Sequence, residues 1–313
     1  MIERVFNVRK DTETISKIIS DEFAELPLKI SPLIDRGSVN KVFLVETENF
    51  KFIFRTNNLN SFDEYEKERW AANRAINKNI PTPQILKTGV FDNQAFSIQN
   101  YVEGVEGREF SGDKKFIWKK LGEYARQIHT VKIGGFGLKL GDMTEGDCKT
   151  LWLKYLDYNI ESLKDKNDKL PELGVVTRKQ SELIGNIFEN LRSRSFLFGL
   201  NHGDLSLRNI IVDNAGTIHL LDWGSAEASI VPHHDLIQLL KMNMQENAPS
   251  DPELEYFLDG YGILKGEYEE MFPDLKNLSI LRAIDKLRWA IDWKIPELKA
   301  YVSEAKETVE RYL

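Results

Sequence analysis

Cysteine is nearly absent from this sequence: one residue, Cys148, stands among 313. A single thiol cannot close an intrachain disulfide, which fits a reducing compartment, and it excludes any cysteine-clustered zinc or iron–sulfur centre. Long apolar runs are missing too. No stretch approaches the roughly 18 uninterrupted apolar residues of a membrane-spanning helix. The opening Met1-Ile-Glu-Arg-Val-Phe6 lacks the basic-then-apolar order of a secretory leader. A cytoplasmic protein without a membrane partner is expected. Positive charge is not in excess either: 42 Lys and Arg against 49 Asp and Glu leave a net charge of −7. That balance argues against nucleic acid as the main partner and would suit a cationic one. Neither an internal repeat nor a low-complexity tract is present.

What remains is an ordinary globular composition, 42% hydrophobic and 29% charged, long enough for one large domain or two modest ones. Ile15, Ile18, Ile19 and Phe23 share one helical face, with Asp11 or Thr12 as the expected cap. Strands are expected at 29–33, 42–46 and 50–56; the last two alternate about a short polar turn and should pair as a hairpin. A helix over 62–79 stops at Pro81 and Pro83. Strands at 84–88 and 95–102 complete a strand-rich first third. Beyond Gly104 helical periodicity dominates, at 113–131, 150–164, 177–194, 235–246 and towards the end of the chain. The only strand signal in that half runs from Asn209 to Asp222. The expected fold class is therefore α+β: an antiparallel-sheet N-terminal lobe (1–102) and a mainly helical C-terminal lobe (103–313). A cleft between the lobes and a hinge near 100–104 are expected with it.

The chemistry concentrates in one segment, His202-Gly-Asp-Leu-Ser-Leu-Arg-Asn209, followed by two apolar strands and Leu221-Asp-Trp-Gly224. Ile210 to Val212 and Ile218 to Leu221 are joined by the turn-forming Asn214-Ala215-Gly216. Closing that hairpin brings Asn209 and Asp222 to one open end on adjacent strands, and both offer the oxygen ligands magnesium prefers. Asp204 precedes Asn209 by five residues on a loop. One carboxylate able to accept a proton, beside two oxygen ligands for a metal–phosphate complex, is the minimum set for phosphoryl transfer. The bland alternative is a β-hairpin with turn-forming residues at its ends; three polar residues so spaced around two apolar strands outweigh it.

This segment resembles the catalytic and metal-binding loops of the aminoglycoside phosphotransferase and choline kinase-like family, relatives of the protein kinases. The resemblance implies a two-lobed protein-kinase-like fold, ATP or GTP as phosphoryl donor and Mg2+ as cofactor. It implies Asp204 as the catalytic aspartate that orients a substrate hydroxyl, His202 as a brace of its loop, and Asn209 and Asp222 as magnesium ligands. Arg55, ending an otherwise apolar strand, matches the family's phosphate-handling cation, and Glu68 its helix glutamate; Glu66 is the rival partner. Protein kinases carry lysine at the Arg55 position. Arginine keeps the pairing chemically sound, because a guanidinium binds phosphate and carboxylate with two bonds. Gly37 and Ser38 stand where a loop would cover the phosphates, although they form neither the glycine-rich repeat of protein kinases nor a Walker A motif. Phe96 to Gly104 resembles the strand that meets the base, which implies backbone contacts from Asn100 and Val102 with Gln99 lining the inner end. The match runs over roughly residues 30–265.

The implied acceptor is a small-molecule hydroxyl, first an aminoglycoside or other cationic antibiotic, so that a resistance enzyme is the first expectation. Choline, ethanolamine, homoserine or sugar-type metabolites are the alternative. Asp157 and Glu161, four residues apart on one helical face, and Glu255 with Asp259 are the expected cation-binding carboxylates, against the commoner reading of solvated helix faces. A non-catalytic nucleotide-binding regulatory protein ranks lower, since Asp204, Asn209 and Asp222 are all present. Protein-kinase activity ranks lower still, because no activation segment separates Asp222 from the next helix. His233-His-Asp235 reads as a helix start capped by Asp235, or one whose aspartate contacts the Asp204 loop, rather than a metal site. His129 and Trp152 read as packing groups; Tyr158, Trp289 and Trp293 could stack on a sugar or a quaternary amine, against the commoner reading of core aromatics at helical spacing.

Overall fold

Alternating side chains in the third strand organise the first half of the chain. The structure, a computed structural model, describes residues 8–33, 40–138, 148–246 and 248–313, with side chains from Asp11 onward. Residue contacts divide the chain into two units, Met1–Lys114 with Ser206–Ala226, and Lys115–Leu205 with Glu227–Leu313. The hairpin carrying Asn209 and Asp222 groups with the first unit, whereas the sequence reading divides the chain once, after residue 102.

In the first unit α1 (Val8–Phe23) precedes β1 (Lys29–Pro32), β2 (Lys41–Glu46) and β3 (Lys51–Asn58), followed by α2 (Phe62–Asn77), β4 (Ile85–Phe91) and β5 (Gln94–Asn100). The strands form one antiparallel sheet in the order β1-β2-β3-β5-β4. Successive residues of a strand face opposite sides. Phe52 and Phe54 therefore enter a core with Phe43, Val45, Phe96, Ile98 and the Ile15, Ile18 and Ile19 stripe of α1. Burying those three isoleucines contributes at most about 6 kcal/mol. Arg55, next along β3, is buried on the other side. The expected capping of α1 by Asp11 is not observed: the helix starts three residues earlier, and Asp11 accepts a 3.0 Å bond from Lys41 of β2. A tertiary ion pair has taken the residue that local propensity assigns to a cap.

The same unit contains a small sheet of β6 (Val105–Glu106), β8 (Ile210–Val212) and β9 (Ile218–Leu220) in the order β6-β8-β9. The β8–β9 hairpin is the one expected, and Asp213 organises its turn by accepting from the Ala215 and Thr217 amides and pairing with His219.

The second unit carries α3 (Lys114–Ile128) from Lys115 on, α4 (Cys148–Lys164), α5 (Lys169–Glu172) and α6 (Arg178–Arg192). After the return to the first unit it continues with α7 (His233–Glu246), α8 (Asp251–Tyr261), α9 (Lys265–Asp292) and α10 (Leu298–Tyr312). Thr177 caps α6 in a reciprocal box with Gln180. Gly122 of α3 and Gly260 of α8 let two backbones touch: a Cβ on either would collide with a carbonyl of the other helix. A two-stranded ribbon is among the elements additional to the sequence reading. β7 (Leu197–Asn201) pairs antiparallel with β10 (Glu227–Val231) in a two-stranded ribbon. All of β10 is buried, so no polar–apolar alternation marks it in the sequence.

Candidate functional site

The phosphate-handling groups expected from sequence meet in the first unit. Arg55 Nη2 donates to Glu68 Oε2 at 2.7 Å, Arg55 Nε donates to Ser97 Oγ at 3.1 Å, and the guanidinium lies over the Tyr65 ring at 5.4 Å. Arg55 and Glu68 are both buried. Burial works against the Arg55 charge, but Glu68 outweighs it and the net shift is upward, with Asp222 adding to it. Arg55 therefore feels the Asp222 carboxylate as well as that of Glu68. The rival Glu66 is engaged elsewhere, with Arg69 at 2.8 Å and with the Thr88 hydroxyl.

Asn209 ends a single turn, Leu207–Asn209, whose amide bonds to the Ser206 carbonyl at 3.1 Å. Its own carbonyl accepts from Leu221 N at 2.7 Å, which extends the β8–β9 ladder by one step and leaves Asp222 beside it. Leu220 N also donates to the Pro81 carbonyl at 2.8 Å, fastening the hairpin to the segment after α2. Asp222 adopts a left-handed backbone (φ 56°, ψ 70°), and its Oδ1 accepts from Gly224 N at 3.3 Å. Aspartate tolerates this conformation better than most residues, and such strain persists where the surroundings over-determine it. Here α2 packs against the Trp223–Ser225 turn, with Trp223 fully buried.

This donor set fits magnesium. One carboxylate and one amide carbonyl are hard oxygen ligands, and magnesium is ordinarily held by one or two protein groups, with phosphate oxygens and water completing an octahedron. Among the described residues no group of three or more His, Cys, Asp or Glu side chains could hold a metal without such help.

The remaining nucleotide-side expectations have mixed placements. Gln99 and Asn100 end β5; the Asn100 amide is occupied by the Gln84 carbonyl at 3.1 Å. Val102 follows, half-buried. Gly37 and Ser38 lie outside the described residues.

In the second unit the loop after β7 presents Asp204, half-exposed, on a backbone fixed from beneath. His202 is fully buried, and its Nδ1 accepts from Asp204 N at 3.2 Å. Asp235, 1% exposed, accepts from Gly203 N at 2.8 Å and from His202 N at 3.3 Å. His129 Nε2 stands 3.0 Å from the same carboxylate, and His129 Nδ1 stands 2.9 Å from the Tyr261 hydroxyl. Burial pushes the Asp235 carboxyl up, but His129 and then His234 and His202 override it and hold it at about 2. Asp235 is therefore not the cap of α7, which starts two residues earlier; its side chain is turned onto the His202–Asp204 loop. His129 is a hydrogen-bonding anchor rather than a packing group. The adjacency in His233-His-Asp235 was the available signal for Asp235, whereas nothing in the sequence pairs Tyr261 with His129.

The expected acceptor carboxylates lie on exposed faces and are paired: Asp157 with Arg192 at 2.6 Å, Glu161 with Lys164 at 2.8 Å and Asp259 with Lys119 at 2.7 Å. Glu255 is exposed on α8. Trp152 packs as expected, against Phe136 and Phe196. Tyr158, Trp289 and Trp293 are not core residues: they are 50%, 46% and 72% exposed, and Trp289 lies against the Tyr301 ring.

Comparison with known proteins gives a consistent picture. An uncharacterised Staphylococcus aureus protein encoded in the ileS 3′ region is 27% identical over 121 residues, 37% of this chain and 88% of that protein. Among solved structures, a thermostable mutant of the aminoglycoside phosphotransferase APH(4)-Ia superimposes with a TM-score of 0.65 at 16% identity, covering 95% of this chain and 98% of its own. A candidate fructosamine-3-kinase from Haemophilus somnus gives 0.62 at 15%, covering 96% of both chains. The spectinomycin phosphotransferase APH(9)-Ia, in complex with ADP and spectinomycin, gives 0.58 at 14%, covering 95% and 96%. At these identities the likeness establishes the α+β, protein-kinase-like fold. The model of the phosphotransferase enzyme family matches residues 32–272, spanning the Arg55–Glu68 pair, the Asp204 loop and the Asn209–Asp222 hairpin, and the chain belongs to that family.

Proposed function

We propose that this phosphotransferase moves the γ-phosphoryl of ATP or GTP to a hydroxyl of a small molecule. The observation that carries the reading is the first unit's constellation: a buried Arg55–Glu68 pair, felt by Asp222, beside Asn209 on the neighbouring strand. Arg55, oriented by Glu68 and Ser97, holds nucleotide phosphate oxygens. Asn209 and Asp222 hold magnesium, which supplies neutralisation of the charge that spreads over the transferring group. In the second unit Asp204 orients the acceptor hydroxyl and takes its proton as the oxygen attacks. Asp235 keeps that loop in one conformation by filling the His202 and Gly203 amides. Positioning and electrostatics supply the acceleration, with no covalent intermediate on the protein.

Aminoglycosides, spectinomycin and a fructosamine appear in the names of the structural neighbours. They support an acceptor that is a hydroxylated, amine-bearing small molecule. The test is nucleoside-diphosphate release by purified protein with magnesium and ATP or GTP, across antibiotics, amino alcohols and sugars. Acceptor-dependent turnover should vanish in Asp204→Asn while nucleotide binding persists. Turnover retained in that variant would sink the assigned role.

A further inference from the structure

A buried polar network in the second unit bears on which acceptor is taken. β7 and β10 pair so that Asn201 lies directly opposite Glu227, three residues along the chain from Asp204. Directly opposed residues of an antiparallel pair share a face. On that face Glu227 Oε1 receives two nitrogens, Arg282 Nη1 from α9 at 2.8 Å and His234 Nδ1 from α7 at 2.7 Å. Asn201, fully buried beside them, has an Oδ1 with no hydrogen-bond partner.

The carboxylates here that could greet a cation are already spent. Burial pushes the Glu227 carboxyl up, but Arg282 and then His234 override it and keep Glu227 ionised and paired. Asp285, one turn along α9 from Arg282, is tied to Asn159 Nδ2 at 3.4 Å and to the Tyr155 hydroxyl, and burial leaves its carboxyl raised. Arg288 closes the network on Asn159 and Asp168. Of the surface acids described above, Asp157, Glu161 and Asp259 are matched by arginine or lysine, whereas Glu255 is exposed on α8. Arg282 differs from all of these. It uses only Nη1; Nε and Nη2 bond to no described residue, and 34% of its side chain reaches solvent. The guanidinium edge left without a bonding partner in this network is therefore positive, with the fork geometry that takes two oxygens of one anion.

We propose that the Nε–Nη2 edge of Arg282 binds an oxyanion of the acceptor, so that the substrate is a hydroxyl compound bearing a carboxylate or phosphate rather than a pure polycation. The inference rests on the phosphotransferase reading and narrows its acceptor. Glu227 and His234 position the guanidinium, and Asp204, on the same ribbon's loop, meets the hydroxyl.

The experiment uses matched pairs that differ by one anionic group: homoserine against 3-aminopropanol and glycerol 3-phosphate against glycerol, with kanamycin as polycation. Calorimetric binding and diphosphate release are measured for each. Binding or kcat/KM at least tenfold better for an anionic member is expected, and the two pairs separate carboxylate from phosphate. Arg282→Gln should raise the KM of that member at least tenfold while leaving kcat and nucleotide KM within twofold. Arg282→Lys, which keeps a cation for Glu227 but lacks the fork, covers the case in which the glutamine variant does not fold. Preference for kanamycin or the uncharged-end partner, or no difference within either pair, overturns the proposal. So does an Arg282→Lys variant with unchanged KM. Failure of the underlying reading would look different: no magnesium-dependent nucleotide binding, and Asp204→Asn indistinguishable from wild type.

Discussion

Replacing Asp235 by asparagine tests whether the second unit holds its reactive loop by hydrogen bonding. The wild-type carboxylate accepts from Gly203 N and His202 N and faces His129 Nε2, in a site only 1% exposed. In Asp235→Asn the amide oxygen keeps Gly203, while the NH2 group points donors at the His202 amide and at His129. His129 can answer by moving its proton to Nδ1, because the Tyr261 hydroxyl can accept as well as donate. The His202 amide has no such remedy. One orphaned buried donor costs about 1–3 kcal/mol, and with the lost charge assistance the total is roughly 2–4 kcal/mol. For a domain of this size that is a fall in Tm of about 5–12 °C. Loosening the loop by about 1 Å should lower kcat about 100-fold, with nucleotide Kd unchanged because Arg55, the proposed phosphate-binding group, belongs to the first unit. Tyr261→Phe should cost more in the Asp235→Asn background than alone, since it removes the relay's last acceptor.

The pH dependence has a defined sign. The Asp235 carboxyl is held at about 2, below the ordinary ~3.9, so its stabilisation is complete above that range and is lost as pH falls through about 2. The Tm difference between wild type and Asp235→Asn should be constant from about pH 8 to 5 and shrink only in acid. Calorimetry and acceptor-dependent turnover read both halves, and a variant that melts early yet keeps full kcat would refute the anchoring argument.

Other expectations follow from the same geometry. Glu68→Gln leaves Arg55 buried beside a neutral partner and should destabilise the first unit by about 3 kcal/mol, with nucleotide KM raised; unchanged values for both would remove Glu68 from the site. Asp222→Asn should raise the magnesium concentration for half-maximal turnover and lower kcat ~100-fold, read by a metal titration. Burial lowers the His233 imidazole to about 4, so the unfolded chain takes up a proton first as pH falls. Stability should drop by roughly 3 kcal/mol between about pH 6.5 and 4. His233→Phe, set against Phe196, should flatten that part of the urea-denaturation profile.

Much of the first unit and the core of the site was legible in one dimension, because local rules govern them. Strand alternation in residues 51–58 separates Phe52 and Phe54 from Arg55 by the two-residue period alone. Two apolar triplets around Asn214-Ala215-Gly216 make a hairpin whatever surrounds it, and its closure brings Asn209 and Asp222 together. The α1 stripe, the α2 helix and the His202-Gly-Asp204 loop follow from periodicity and spacing in the same way.

Tertiary structure decided what depends on partners distant in the chain. Glu68 rather than Glu66 meets Arg55 because the fold turns that face of α2 towards β3, while Arg69 and Thr88 claim the other glutamate. Asp235 leaves its capping position for amides 32 and 33 residues away, and Tyr261 reaches His129 across 132. Strand β10 carries no alternation because all five of its residues are buried. Local pattern reports only which side of an element meets water. Which charge meets which is set where helices α7 and α9 converge on Glu227, and the linear sequence holds no short-range trace of that convergence.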